Sequence, residues 1–142
     1  MDRAMSYLGI ARKAGLLTTG EENCGSVVRA GKARLLCLAS DASDNAARRA
    51  ESFVHGTRTP LLRVPYTKEE LAEHLGTGSC SMAALTDIGL ASSFVAALGE
   101  GRVELQELRE ELARRNEKAA QRKREAQAHE RNKRTGKRRK NV

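Results

Sequence analysis

The sequence predicts an α/β protein, a three-layer α/β/α sandwich on a small mixed sheet, followed by a C-terminal charged helix and a basic tail. Three observations carry this. Helical and strand-like segments alternate through the first 99 residues, the pattern of helices packed on both faces of a sheet. The run Leu35-Leu36-Cys37-Leu38-Ala39 is apolar at every position, as a strand covered on both faces must be. The charge is uneven: residues 1–99 hold 11 Lys and Arg against 10 Asp and Glu, whereas residues 118–142 hold 11 against 2.

Residues 3–14 read as the first helix, with Ala4, Leu8 and Ala11 on one face and Gly15 as its stop. Leu16–Thr19 is a short strand, and residues 21–30 are a second helix ended by Gly31. Leu35–Ala39 is the buried strand. Ser43 or Asp44 caps a third helix that runs to about His55, ahead of Gly56. Leu61–Val64, between Pro60 and Pro65, is a strand. Thr67 with Glu70 three residues later forms a capping box that opens a helix to Leu75. Met82–Leu85 is a strand, and Asp87 caps a helix to Leu98. Gly99 and Gly101 break the pattern. Val103, Leu105, Leu108 and Leu112 then form a short apolar stripe, and Glu110–Arg114 and Glu111–Arg115 are at ion-pairing spacing along a continuing helix. From Arg131 the chain has nothing to bury and is expected to be disordered when free. The expected division is therefore a domain over 1–99, a charged helical extension over 100–130 and a disordered basic tail over 131–142.

Composition narrows the function. The 142 residues carry a net charge of +8, and only 39% of them are apolar. No stretch approaches the ~18 apolar residues of a membrane span, so no membrane role is expected, and the reading is a cytoplasmic protein. A basic tail without a Leu, Phe or Trp face points to nucleic acid rather than lipid. Cys24, Cys37 and Cys80 are odd in number and far apart, with no CxxC pair and no nearby histidine, so buried idle thiols are expected and no metal site. No cofactor is implied.

The segment TTGEENCGSV, residues 18–27, has the glycine separation of a phosphate-binding loop. A P-loop, however, needs lysine where Ser26 stands and a hydroxyl where Val27 stands, and Glu21 and Glu22 would repel a triphosphate. Gly76-Thr77-Gly78 precedes a strand instead of following one, which rules out the dinucleotide fingerprint. No nucleophile elbow or HExxH pattern occurs, so no catalytic residues are assigned. A glycine at a helix N-terminus, followed by Glu22 and Asn23, offers backbone donors, carboxylate acceptors and an amide together. That set suits base edges in an opened RNA element. Arg12, Lys13, Arg29, Lys32 and Arg34 are near enough in sequence to hold phosphates. An ordinary helix cap with acids placed for the dipole would look the same locally.

The segment LGIARKAGLLTTGEENCGSVVRAGKARLLCLASDASDN, together with ALTDIGLASSF, resembles the ribosomal protein superfamily typified by the archaeal L-seven-Ae and eukaryotic L-thirty-e proteins, and within it the bacterial YlxQ-like members. The resemblance covers residues 3–98. It implies a three-layer α/β/α fold and binding to RNA kink-turns. The family loop reads G-x-N-E-x-x-K. Gly20 matches the glycine, Glu22 and Asn23 carry the two chemical types in exchanged order, and Ser26 stands in place of the lysine. The loop before the last strand, often apolar in the family, is Gly76–Ser81 here and is small and polar. The expected partner is RNA, ribosomal or otherwise structured, with the ribosome as a possible home, and the expected state is a monomer in a ribonucleoprotein. The implied RNA-binding residues are Gly20, Glu21, Glu22, Asn23 and Ser26, with the five basic residues named above. The alternative is a protein-interaction module that keeps the fold without reading RNA and offers the Val103–Leu112 stripe to a partner helix.

Overall fold

The computed structural model describes residues 2–139. Ten elements follow in order: α1 (Arg3–Lys13), β1 (Leu17–Thr19), α2 (Glu21–Arg29), β2 (Leu35–Leu38), α3 (Asp44–Val54), β3 (Leu61–Arg63), α4 (Lys68–Leu75), β4 (Met82–Leu85), α5 (Ile88–Leu98) and α6 (Gln106–Arg139), the last entered through a 3₁₀ turn at Val103–Leu105. The sheet order is β1-β4-β2-β3. β4 runs antiparallel to both neighbours, Leu85 lying opposite Leu17 on one side and Leu35 on the other. β2 and β3 are parallel, which makes the sheet mixed.

Side-chain alternation along the two central strands divides the core. Leu35, Cys37, Ala83 and Leu85 face α1, α4 and α5, where Leu8, Leu71 and Phe94 fill the space. Leu36, Leu38, Met82 and Ala84 face α2 and α3, against Cys24, Val28 and Ala50. Every residue of β2 and β4 is buried, because each central strand is covered on both faces. The three cysteines are free and buried. Burial pushes the Cys24 thiol up to about 12 and raises Cys37 and Cys80 as well, which keeps them un-ionised and unreactive.

Local chemistry fixes the helix starts. Asp2 caps α1, accepting from the N–H groups of Ala4 and Met5. Ser43 caps α3 and Asp87 caps α5, and the Thr67–Glu70 capping box is formed in both directions.

The core extends past residue 99. Leu112 is fully buried in the same cluster as Phe94, Val95 and Leu98, and Leu105 and Leu108 pack against that cluster. The stripe that sequence reasoning offered to a partner helix is thus engaged within the chain, and only Val103, 86% exposed, faces solvent. The reason is α5, whose mean composition is so apolar that its outer face needs a cover, and α6 supplies it. Of the two ion pairs expected on α6, Glu111–Arg115 forms at 2.9 Å, and Arg114 turns to Glu111 at 2.6 Å rather than to Glu110. Glu110 instead accepts from Gln106 at 2.9 Å.

The backbone of α6 is helical through residue 139, so the boundary expected at residue 131 has no counterpart in it. Alanine, Glu, Gln, Lys and Arg dominate the segment and are all good helix formers. Residues 140–142, the end of the expected disordered tail, lie outside the described residues, as does residue 1.

Candidate nucleic-acid interface

Gly20 caps α2 with φ 94° and ψ 144°, a backbone conformation that side chains disfavour, and it makes no side-chain cap hydrogen bond. Its N–H donates to the Met82 carbonyl at 3.4 Å and its carbonyl accepts from Cys24 N–H at 2.9 Å. The loop is therefore held against the start of β4 while the first N–H groups of α2 keep no side-chain cap.

The neighbouring side chains divide by role. Glu21 is engaged inside the protein: its carboxylate pairs with Arg49 at 2.7 Å and accepts from the Ser81 hydroxyl at 3.4 Å. It ties α2 to α3 and to the loop before β4. Glu22 is exposed and has no ion pair among the described residues. Asn23 is exposed, and its amide donates to the Thr19 carbonyl at 3.3 Å, leaving Oδ1 as an open acceptor. The Ser26 hydroxyl donates back to the Glu22 carbonyl at 3.2 Å. The solvent-facing groups are thus one carboxylate, one amide oxygen and the helix N-terminus, beside the Ser81 loop.

Gly25 explains how α2 and α3 come so close behind this edge. A Cβ there would lie 2.8 Å from Cε1 and Cζ of Phe53 and 3.1 Å from Nη1 of Arg29. The guanidinium groups of Arg29 and Arg49 both lie over the Phe53 ring, at 5.7 and 5.8 Å from its centroid. This engages the one aromatic ring of the α2–α3 face with cations.

The residues expected to act together fall into two groups. Gly20 to Ser26 gather at the Met82 end of β4. Arg34 lies at the opposite end of the same strand, where its N–H donates to the Leu85 carbonyl at 2.7 Å. Lys32 is in the loop just before it, and Arg12 and Lys13 form the last turn of α1, leading to Leu17 opposite Leu85. Arg29 ends α2 but folds its guanidinium back along the helix to Phe53. Sequence reasoning missed Arg49, Phe53 and Ser81, because nothing local to Glu21 signals a partner 28 or 60 residues away. Among the described residues no three metal-ligating side chains converge, and no helix is long and apolar enough to cross a membrane.

Comparison with known proteins agrees with this architecture. No protein-family model matches the chain. The chain is 30% identical over 95 residues to RNA-binding protein YlxQ of Bacillus subtilis, covering 64% of this chain and 90% of that protein. It is 30% identical over 74 residues to RNA-binding protein YlxQ of Enterococcus faecium, covering 52% of this chain and 71% of that one. Among solved structures, a Bacillus halodurans protein of unknown function superposes with a TM-score of 0.63 at 24% identity, over 69% of this chain and 98% of that one. A 15.5 kD RNA-binding protein of Giardia lamblia superposes with a TM-score of 0.56 at 15% identity, over 68% and 82% of the two chains. These last two likenesses are of fold. With the sequence identity spanning nine-tenths of the Bacillus subtilis protein, and the fold and the Gly20 loop in the expected places, the chain belongs to the YlxQ family within the L-seven-Ae and L-thirty-e superfamily.

Proposed function

We propose that this chain is a non-enzymatic RNA-binding protein of ribosomal type, which docks a structured, kink-turn-like RNA against the Gly20 edge. The observation that carries this reading is the uncapped N-terminus of α2 with Glu22 and Asn23 Oδ1 facing solvent beside it. Free N–H groups and the helix dipole favour a phosphate or a base acceptor. The carboxylate and amide oxygens accept from base N–H groups such as those of guanine in sheared pairs. Both curated relatives are named as RNA-binding proteins, which supports the partner class. The protein acts on this reading as a cytoplasmic monomer, with ribosomal RNA or another structured RNA as partner. The strongly basic end of α6 adds affinity without sequence choice, since phosphate contacts position but do not specify.

The test is a titration by fluorescence anisotropy on a kink-turn RNA and on a straight duplex of equal length. The reading requires tighter binding to the kink-turn at every salt concentration. Equal affinities would overturn kink-turn recognition while leaving RNA binding intact, and binding to neither would overturn both.

A further inference from the structure

α6 does more than cover α5. It forms one wall of a groove of about 640 Å³ whose other wall is the body of the protein. The body wall carries Arg29, Arg34 and Arg58, brought together from the end of α2, the start of β2 and the loop between α3 and β3. The α6 wall carries Arg114, Arg115, Lys118 and Arg122, spaced so that they share one helix face. The single acid in the groove is Glu111, and it is already paired with Arg114 and Arg115. Seven basic residues thus line one gap, the Arg29 guanidinium turned aside to Phe53, and the one carboxylate that lines it is already committed.

The groove is fixed and not a chance approach of a loose arm. Arg115 donates from Nη1 to the Arg58 carbonyl at 2.8 Å while its Nε holds Glu111 at 2.9 Å. Leu112, one turn earlier, is fully buried in the core. The helix wall is therefore tied to the body by an apolar anchor and a hydrogen bond on successive turns. Like charges set this close repel one another unless an anion lies between them.

We propose that this groove is a phosphodiester-binding site, taking the backbone of the RNA that flanks the element docked at Gly20. The proposal rests on the RNA reading above and adds a second, separate contact surface to it. Its chemistry is phosphate recognition, not base reading. The groove hydroxyls are engaged elsewhere, Thr57 Oγ1 on the Val54 carbonyl and Thr59 Oγ1 on the Ala33 carbonyl, and no aromatic ring lines it. A polymer fits better than a lone anion because Arg114 to Arg122 spans roughly 12 Å of helix axis. The groove also connects to the Gly20 edge through cations: Arg29 lies over Phe53 beside Arg49, and Arg49 holds Glu21.

The test uses the full chain and measures the slope of log K against log[salt] on the kink-turn RNA and the straight duplex. Two groove variants are compared, Arg34→Gln with Arg58→Gln on the body wall and Lys118→Gln with Arg122→Gln on α6. The control is Arg3→Gln with Lys68→Gln, which removes the same charge far from the groove. If each groove pair neutralises two phosphates, each double variant flattens the slope by about 1.4–1.8, and from 50 to 200 mM salt it loses roughly tenfold less affinity than the wild type. Both RNAs respond alike and the control keeps the wild-type slope. Arg34→Lys with Arg58→Lys keeps it too, which separates lost charge from lost fold. If the body-wall variant keeps the wild-type slope while the α6 variant loses it, the helix acts as a free arm and the groove is not a site. If the control falls as far as the groove variants, the effect is net charge alone and the proposal is wrong. Absence of wild-type binding to either RNA would overturn the RNA reading and this proposal together, whereas an unchanged slope in a protein that binds overturns only the groove.

Discussion

Replacing Leu112 with alanine tests whether α6 is part of the folded body. The side chain is fully buried in the main core cluster with Phe94 and Leu98. Leu→Ala removes three carbons, about 2.4 kcal/mol of transfer free energy at ~0.8 kcal/mol for each. The void left against α5 adds to this, partly relieved because α6 can shift on its open side, so the expected loss is about 3–4 kcal/mol. Val103→Ala, at a side chain 86% exposed in the same stripe, should stay within about 0.5 kcal/mol. Urea unfolding followed by tyrosine fluorescence reads the body, since Tyr7 and Tyr66 are on α1 and just after β3. The midpoint should fall with little change in m-value. A loss below about 1 kcal/mol for Leu112→Ala would show that α6 rests on the body without stabilising it, and residues 1–99 would then be the folding unit.

At the Gly20 edge, Glu22→Ala and Asn23→Ala should each weaken kink-turn binding by about 1–3 kcal/mol and leave a straight duplex unaffected; equal losses on both RNAs by anisotropy would count against direct readout. Gly25→Ala should destabilise by about 1–3 kcal/mol despite alanine's better helix propensity, because its Cβ meets the Phe53 ring at 2.8 Å, and a thermal melt with an unchanged midpoint would refute the close packing of α2 on α3. The Asp2 carboxyl is held below its usual range first by the Tyr66 hydroxyl, which donates to it at 2.6 Å, and then by the Ala4 and Met5 N–H groups. A depressed carboxyl contributes stability that is present above the ordinary aspartate pKa of about 4 and lost as pH falls through the lowered one. Tyr66→Phe should therefore show a flatter decline in stability between neutral pH and acid than the wild type, measured by urea titrations at several pH values.

What the sequence revealed and what it hid differ by distance along the chain. Every strand and helix of the body was legible because its signal is local. Caps such as Ser43 and Asp87 act on groups three residues away, and the uniform apolarity of β2 and β4 needs no partner to be recognised. The role of the Val103–Leu112 stripe was not legible, since a short apolar face reads the same whether a partner or α5 will cover it. The Gly20 loop was legible as a glycine-capped junction between β1 and α2, but the fate of its acids was not. Glu21 and Glu22 are neighbours of the same type, and only Arg49, brought over by α3, makes one of them structural and leaves the other free. The groove was the least legible feature. Arg58 and Arg115 are 57 residues apart, and each reads alone as an ordinary surface charge.

The charges at the two ends of α2 give a reason for the groove to exist. The Gly20 edge presents Glu22 to solvent and has Ser26 where the superfamily loop carries a lysine, so beyond the N–H groups of the α2 N-terminus the surface proposed to choose the RNA has little to hold its phosphates. Carboxylates that accept from base N–H groups discriminate between RNAs, yet they repel the backbone of every RNA equally. A protein built this way needs its electrostatic affinity from another surface, close enough to act on the same molecule and far enough not to neutralise the reading carboxylate. The α6 groove meets both conditions. It lies toward the Leu85 end of the strand whose Met82 end holds Gly20, and it carries the cations that the loop lacks. Selectivity at the loop and affinity at the groove can then vary independently. Substitutions at Glu22 should change the ranking of RNAs at constant salt slope, and substitutions at Arg58 should change the slope at constant ranking.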